Sequence, residues 1–255
     1  MGKLPRPVPW LSEGENFPPV ELCWGSEDPA PGLLAAGSTL DVASLVQAYS
    51  HGIFPWFSLG QPVLWWSPDP RMVLQPKNFR LHRSLRKRLI NFRADRNCEV
   101  KVDSSFERVI QACADTPRAG QHGTWIVPEM VSAYRALHQA GHAHSIETWV
   151  NGELVGGLYC VNLGRMVFGE SMFAYQTDAS KIALAALVAF CLANQIPMID
   201  CQQNTHHLAS LGAAEVERKY FTSHIRQHLE KPTPNWRFEP VYWNQIPPDR
   251  TPLTP

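Results

Sequence analysis

The stretch His144-Ser145-Ile146-Glu147-Thr148-Trp149-Val150-Asn151-Gly152-Glu153-Leu154-Val155-Gly156-Gly157-Leu158-Tyr159-Cys160-Val161 decides the fold. Asn-Gly between two runs rich in β-branched, aromatic and aliphatic residues is the strongest short hairpin signal, so two antiparallel strands are expected, 144–150 and 153–161. Leu163-Gly164 turns the chain into a third strand, 165–169, and completes an antiparallel meander. Downstream, residues 178–194 read as a long buried helix and Ile196 to Gln202 as a further strand; a final helix spans 217–229. Upstream, Phe106, Val109, Ile110 and Cys113 recur at helical spacing, and Pro128 opens a helix carrying Val131, Tyr134 and Leu137 to a stop at Gly141.

The N-terminal quarter reads differently. Residues 1 to about 30 are Pro-rich and irregular; Asp41 then caps a short helix, 42–50, that Gly52 ends. Gly52-Ile53-Phe54-Pro55-Trp56-Phe57 and Leu64-Trp65-Trp66-Ser67-Pro68-Asp69-Pro70-Arg71 follow, tryptophans laced with prolines. Such segments form either the core of a small domain or a ligand wall. The expected organisation is α+β: a small N-terminal domain (1–76), a domain with a mostly antiparallel sheet flanked by helices (77–230), and a Pro-rich tail (231–255) on the surface.

Within Pro197-Met198-Ile199-Asp200-Cys201-Gln202 an apolar run abruptly presents polar groups. On a strand, Asp200 and Gln202 project from one side and Cys201 from the other, so the two polar residues are able to act on one bound molecule.

Composition bounds the function. The chain has 255 residues, 44% hydrophobic, with formal net charge zero. Its longest apolar run, 182–193, is shorter than the roughly 18 residues of a membrane span. No apolar signal-peptide core follows the N-terminus, so a cytoplasmic protein without membrane association is expected. Six scattered cysteines contain no C-x-x-C pair, against both a disulfide framework and a zinc ribbon. His138, His142 and His144 share no assured face, so no metal site is expected.

Charge is uneven. From Lys77 to Lys101 nine basic residues face two acidic ones. Leu81, Leu85 and Leu89 form a helical seam from which Arg83, Arg86 and Lys87 turn away, giving a helix with one basic face. It serves either as a solvated surface or as a phosphate-backbone contact.

Helices, meander, helix and strand follow one another in the order of the acyltransferase fold of acetyl-CoA-dependent N-acetyltransferases. That superfamily seats the CoA pyrophosphate on a Gly-rich turn after the third strand. Here the corresponding residues, 169–178, contain a single glycine, which disfavours a CoA cradle.

The blocks quoted above, with Gly32-Leu33-Leu34-Ala35, Gly123-Thr124-Trp125-Ile126, Gly169-Glu170-Ser171-Met172-Phe173, Asp178-Ala179-Ser180-Lys181 and Ser210-Leu211-Gly212-Ala213, resemble the leucyl/phenylalanyl-tRNA–protein transferases over nearly the whole chain. Two departures occur: Gly37-Ser38-Thr39-Leu40 replaces the usual Gly-Gly-Asp-Leu, and Ala174-Tyr175 the usual Ser-Arg. The resemblance implies transfer of Leu or Phe, less readily Met, from aminoacyl-tRNA to the α-amino group of proteins beginning with Arg or Lys, marking them for degradation.

No cofactor, ATP or metal is implied, because the aminoacyl ester is already activated, and a monomer is expected. By similarity, Gln202 accepts a hydrogen bond from the incoming amine, Asp200 polarises or orients Gln202, and Glu170 lies near the aminoacyl end. The implied aminoacyl pocket has Trp56, Trp125, Phe173, Ile199 and Met172 as its wall, and Arg83, Arg86 and Lys87 become a contact for the tRNA 3′ arm. A CoA-dependent N-acetyltransferase and a non-catalytic tRNA- or peptide-binding protein are the competing readings.

Overall fold

A computed structural model describes residues 7–116 and 126–246. Four short strands, β1 (Trp10–Leu11), β2 (Leu33–Gly37), β3 (Phe54–Pro55) and β4 (Leu64–Trp66), form a sheet of order β1-β2-β4-β3 beside helix α1 (Val42–Ser50). Asp41 caps α1 by accepting the Ser44 amide hydrogen at 2.8 Å. The helix is where the sequence predicts it, whereas none of the four strands is predicted. Strands of two to five residues are too short to display a period.

The larger sheet has seven strands among the described residues, in the order β11-β5-β10-β9-β8-β7-β6. Its centre is the expected meander, β7 (Ala143–Val150), β8 (Glu153–Leu163) and β9 (Met166–Ala174). On one flank β6 (Cys98–Val102) pairs with β7; on the other β10 (Ile199–Gln202) pairs parallel with β9 and antiparallel with β5 (Arg71–Leu74), which also carries β11 (Ala214–Val216). Two sequence expectations change here. Arg71–Leu74, placed in the N-terminal domain by the reading of the chain, is a strand of the larger sheet. Strand β10 begins at Ile199 and not at Ile196, because Pro197 has no N–H to give a ladder.

Helices cover both faces. On one lie α1, α3 (Phe106–Asp115) and α4 (Pro128–Gln139), in a core continuous with the N-terminal sheet and with Phe221 and Ile225 of α7 (Arg218–His228). On the other lie α2 (Arg83–Ala94) and α5 (Ala179–Ala193). Gly156 of β8 lets α5 approach: a Cβ there would fall 2.5 Å from that of Ala179.

Helix α5 is apolar nearly all round, so its outer side also needs cover. The chain after α7 provides it. Trp236 stacks on Phe190 of α5 and on His144, with ring centroids 4.6 and 4.1 Å apart, and Trp243 is buried. The tail from Lys231 lies mostly exposed on the surface, and up to Ile246 it turns Trp236, Trp243 and Ile246 inward to cover α5.

Candidate active site

The parallel pair β9–β10 holds together only at Val167/Ile199 and Phe168/Asp200. Beyond those residues the strands part, and a cavity of about 330 Å³ opens between them. Extra residues in both strands accompany the parting. Register slips between Tyr159 and Cys160 opposite Gly169–Ser171, leaving Glu170 without a ladder partner, and again between Asp200 and Gln202. Gln202 itself has a left-handed backbone, φ 60°. Bulges of this kind re-aim side chains beside sites.

The cavity has an apolar end and a polar end. Leu158, Met172, Leu184, Leu187, Ile199 and Leu208 line the first, on the α5 side of the sheet. At the second, the half-buried Glu170 carboxylate gathers three donors. Tyr49 Oη donates to Oε1 at 2.7 Å, Tyr134 Oη to Oε2 at 3.1 Å and Gln202 Nε2 to Oε1 at 3.0 Å. The two tyrosine hydroxyls also lie 2.5 Å from each other. Trp56 closes one side, braced by Trp66, whose Nε1 donates to the Trp56 carbonyl at 2.7 Å.

Burial pushes the Glu170 carboxyl up from 4.5 to about 7; its three hydrogen bonds oppose the shift and the Asp200 charge adds to it. Proton counting fits the same direction. Three oxygen contacts among Tyr49, Tyr134 and Glu170 have only two hydroxyl hydrogens while the carboxyl is ionised, and protonating Glu170 supplies the third. Burial also holds both tyrosines well above their ordinary value, so they stay protonated.

Because the folded state binds this proton more tightly than the unfolded chain, Glu170's contribution is complete below pH 4.5 and is lost as pH rises through about 7. Thermal unfolding of wild type and Glu170→Gln across pH 4.5–7.5 reads it. The wild-type melting temperature should fall relative to the variant's over that window, and a pH-independent difference would contradict the assignment.

The sequence-predicted residues divide. Asp200, Gln202, Glu170, Trp56, Ile199 and Met172 all line this cavity. Phe173 does not: the bulge at Glu170 shifts the alternation, so Met172 faces α5 while Phe173 is buried on the opposite face, near Gly157 and Val109. Trp125 lies outside the described residues. Asp200 touches Gln202 through the backbone, Oδ1 accepting the Gln202 N–H at 3.0 Å, whereas the side-chain amide donates to Glu170. Glu170 belongs to a strand and not to the connection before α5, where the sequence reading had it.

Arg83 and Lys87 are exposed on α2 and Arg86 is half-buried. The first turn of α2 abuts α6 (His206–Ser210), with His82 Nε2 2.7 Å from the Ser210 carbonyl oxygen; His207 and Leu208 of α6 line the cavity. The basic helix thus adjoins α6, two residues of which line the cavity. Of the other histidines, His144 pairs with Asp103 at 2.7 Å and His138 stacks on Phe106. Among the described residues no three His, Cys, Asp or Glu side chains are grouped to hold a metal.

Sequence reasoning missed Tyr49, Tyr134, Arg71 and the leucines of α5. The tyrosines and leucines occupy apolar seams and read as core. Arg71 gave one signal, a cation opening the apolar run Met72-Val73-Leu74.

Comparison with known proteins gives the family. The family model described as "Leucyl/phenylalanyl-tRNA protein transferase" matches residues 73–226, and that of its N-terminal domain matches residues 38–69. A leucyl/phenylalanyl-tRNA–protein transferase of Polaromonas sp. (strain JS666) is 75% identical over 96% of this chain and 96% of its own length. One from Leptothrix cholodnii is 60% identical over 94% of this chain and 95% of its own. Among solved structures, a Bacteroides thetaiotaomicron protein of unknown function superposes with a TM-score of 0.38 at 15% identity, over 56% of this chain and 53% of the other.

Proposed function

The chain belongs to the leucyl/phenylalanyl-tRNA–protein transferase family and is an aminoacyltransferase, and from that premise we propose that its chemistry takes place in the cavity between β9 and β10. One observation carries the proposal: a cavity with an apolar end has at its other end the half-buried Glu170 carboxyl, which holds the Gln202 amide. In this reading Leu, Phe or, less readily, Met of an aminoacyl-tRNA enters between Leu158, Leu184, Leu187 and Ile199. Its ester carbonyl then lies at the Gln202–Glu170 end. An apolar pocket separates side chains by roughly 1–3 kcal/mol per misplaced methylene, which suits a preference among three unbranched-Cβ residues.

The acceptor's α-amine attacks that carbonyl. A C–N bond forms, the C–O bond to the tRNA ribose breaks, and the amine's proton passes to the departing ribose oxygen. No ATP, metal or redox step enters this balance. Glu170 Oε1 accepts from the NH2 end of Gln202, which it does also when the carboxyl proton sits on Oε2, and the Gln202 amide oxygen is left to face the amine. Gln202 and Glu170 therefore orient the amine and need not keep its proton.

In this reading the acceptors begin with Arg or Lys, and the product enters N-terminal-residue-dependent degradation. Aminoacyl-tRNA availability puts the reaction in the cytoplasm. The overall arrangement supports an N-acetyltransferase-like fold, since the meander, α5 and parting β10 follow that order. A CoA pyrophosphate at the start of α5 would instead meet the Asp178 carboxylate, which pairs with Lys181 at 2.7 Å.

Purified protein mixed with leucyl-tRNA and a peptide starting with Arg, without ATP or CoA, should yield the Leu-Arg peptide. Absence of product, or product only with acetyl-CoA, overturns the reading.

A further inference from the structure

Arg71, the first residue of β5, is fully buried, and so is Asp200 on the adjoining strand β10, where it pairs in register with Val73. Arg71 Nε and Nη2 donate to Asp200 Oδ1 and Oδ2 at 2.8 and 2.6 Å, and Nη1 donates to the Gly52 carbonyl at 3.1 Å. The rings of Phe54 and Phe221 lie 4.8 and 4.6 Å from the guanidinium carbon. The guanidinium is thus held by the loop before β3, by β3 itself, by α7 and by β10. A planar, five-donor group is suited to such a node; an ammonium is not.

Both Asp200 oxygens are already occupied. Oδ2 takes Nη2, while Oδ1 takes Nε and the Gln202 backbone N–H. By hydrogen bonding, the carboxylate reaches the proposed reaction centre through that amide, which does not titrate. Among the described residues no side-chain hydrogen bond links Asp200 to the Gln202 side chain, whose amide donates to Glu170.

We propose that Arg71 is a positioning residue for transfer. It clamps Asp200 in a bidentate grip, and Asp200 holds the left-handed backbone of Gln202 so that its amide reaches Glu170; Asp200 relays no proton. The same guanidinium packs on Phe54, two residues before the Trp56 wall, so it registers the N-terminal sheet against the catalytic strand. This inference rests on the transferase reading. Loss of that reading appears as no transfer by wild type, whereas loss of this one appears only among variants of an active protein.

The test is a double-mutant cycle. In Asp200→Asn the new NH2 confronts the Arg71 donors, and in Arg71→Met the carboxylate is buried without its partner; each disturbs the Gln202 backbone. In the double variant R71M/D200N neither conflict exists, and the Asn carbonyl still accepts the Gln202 N–H. Both singles should lose kcat while KM for aminoacyl-tRNA stays within about twofold, and the double should recover kcat by on the order of tenfold over either single. A double variant that folds, by circular dichroism and melting, yet is no more active than D200N shows that the carboxylate itself is needed and overturns the proposal. Should the double not fold, Arg71→Lys decides, because it keeps the charge and loses the fork. A fall in kcat of about tenfold at unchanged KM is expected; wild-type kcat overturns the proposal.

Discussion

Gln202→Ala should slow transfer by on the order of 100-fold at saturating aminoacyl-tRNA, because a group that fixes attack geometry contributes about that much when it is lost. KM for the tRNA should stay within about threefold, since the interaction lost is one made chiefly in the transition state. The size of the effect follows from how tightly the amide is fixed. Its Nε2 is held by Glu170 at 3.0 Å, and its backbone N–H is held by Asp200 at 3.0 Å in a left-handed conformation. A side chain anchored at both ends costs little further entropy when it aligns the amine. Single-turnover rates with prebound leucyl-tRNA measure the effect. A variant with unchanged single-turnover rate and a raised KM would assign Gln202 to binding.

The second large effect is electrostatic. The triple variant R83A/R86A/K87A should weaken aminoacyl-tRNA binding by on the order of ten- to a hundredfold near physiological salt. The slope of log K against log salt should flatten by roughly 0.7–0.9 for each phosphate contact removed. The expectation draws on position: His82, just before α2, reaches the Ser210 carbonyl of α6, whose His207 and Leu208 line the cavity, so a 3′ arm crossing α2 would lie beside it. Leu85, Leu89 and Phe92 bury the other side of the helix, and the three substitutions leave that seam intact. Binding titrations at several salt concentrations decide the matter. An unchanged slope would return the basic face to the role of a solvated surface.

Local signals in the chain announce some of this architecture. Asn151-Gly152 announces the meander, Asp41 announces α1, and the apolar run after Asp178 announces α5; each is a signal carried within one element. The site depends on features that are not local. Period-two alternation assumes a ladder without insertions, and the bulges at Glu170 and after Asp200 break it. That is why Met172 and Phe173 exchange faces relative to simple alternation.

The Tyr49–Tyr134–Glu170 cluster joins α1, α4 and β9, and Arg71 meets Asp200 across 129 positions of sequence. Each of these partners, read in its own element, is an ordinary seam or strand residue. Leu184 and Leu187 resemble the rest of α5 and become pocket residues only because β9 and β10 part above them. The polar pair Asp200 and Gln202 stood out because an apolar strand rarely ends on two such residues. Their division of labour, one gripping backbone and one facing the cavity, needed the fold.

The most direct measurement is a crystal structure with a 3′-phenylalanylamido-adenosine, in which an amide replaces the labile ester. The phenyl ring should lie between Leu158, Leu184, Leu187 and Ile199, with the carbonyl beside Gln202 and Glu170. Density for the aminoacyl group anywhere outside the gap between β9 and β10 would contradict the account.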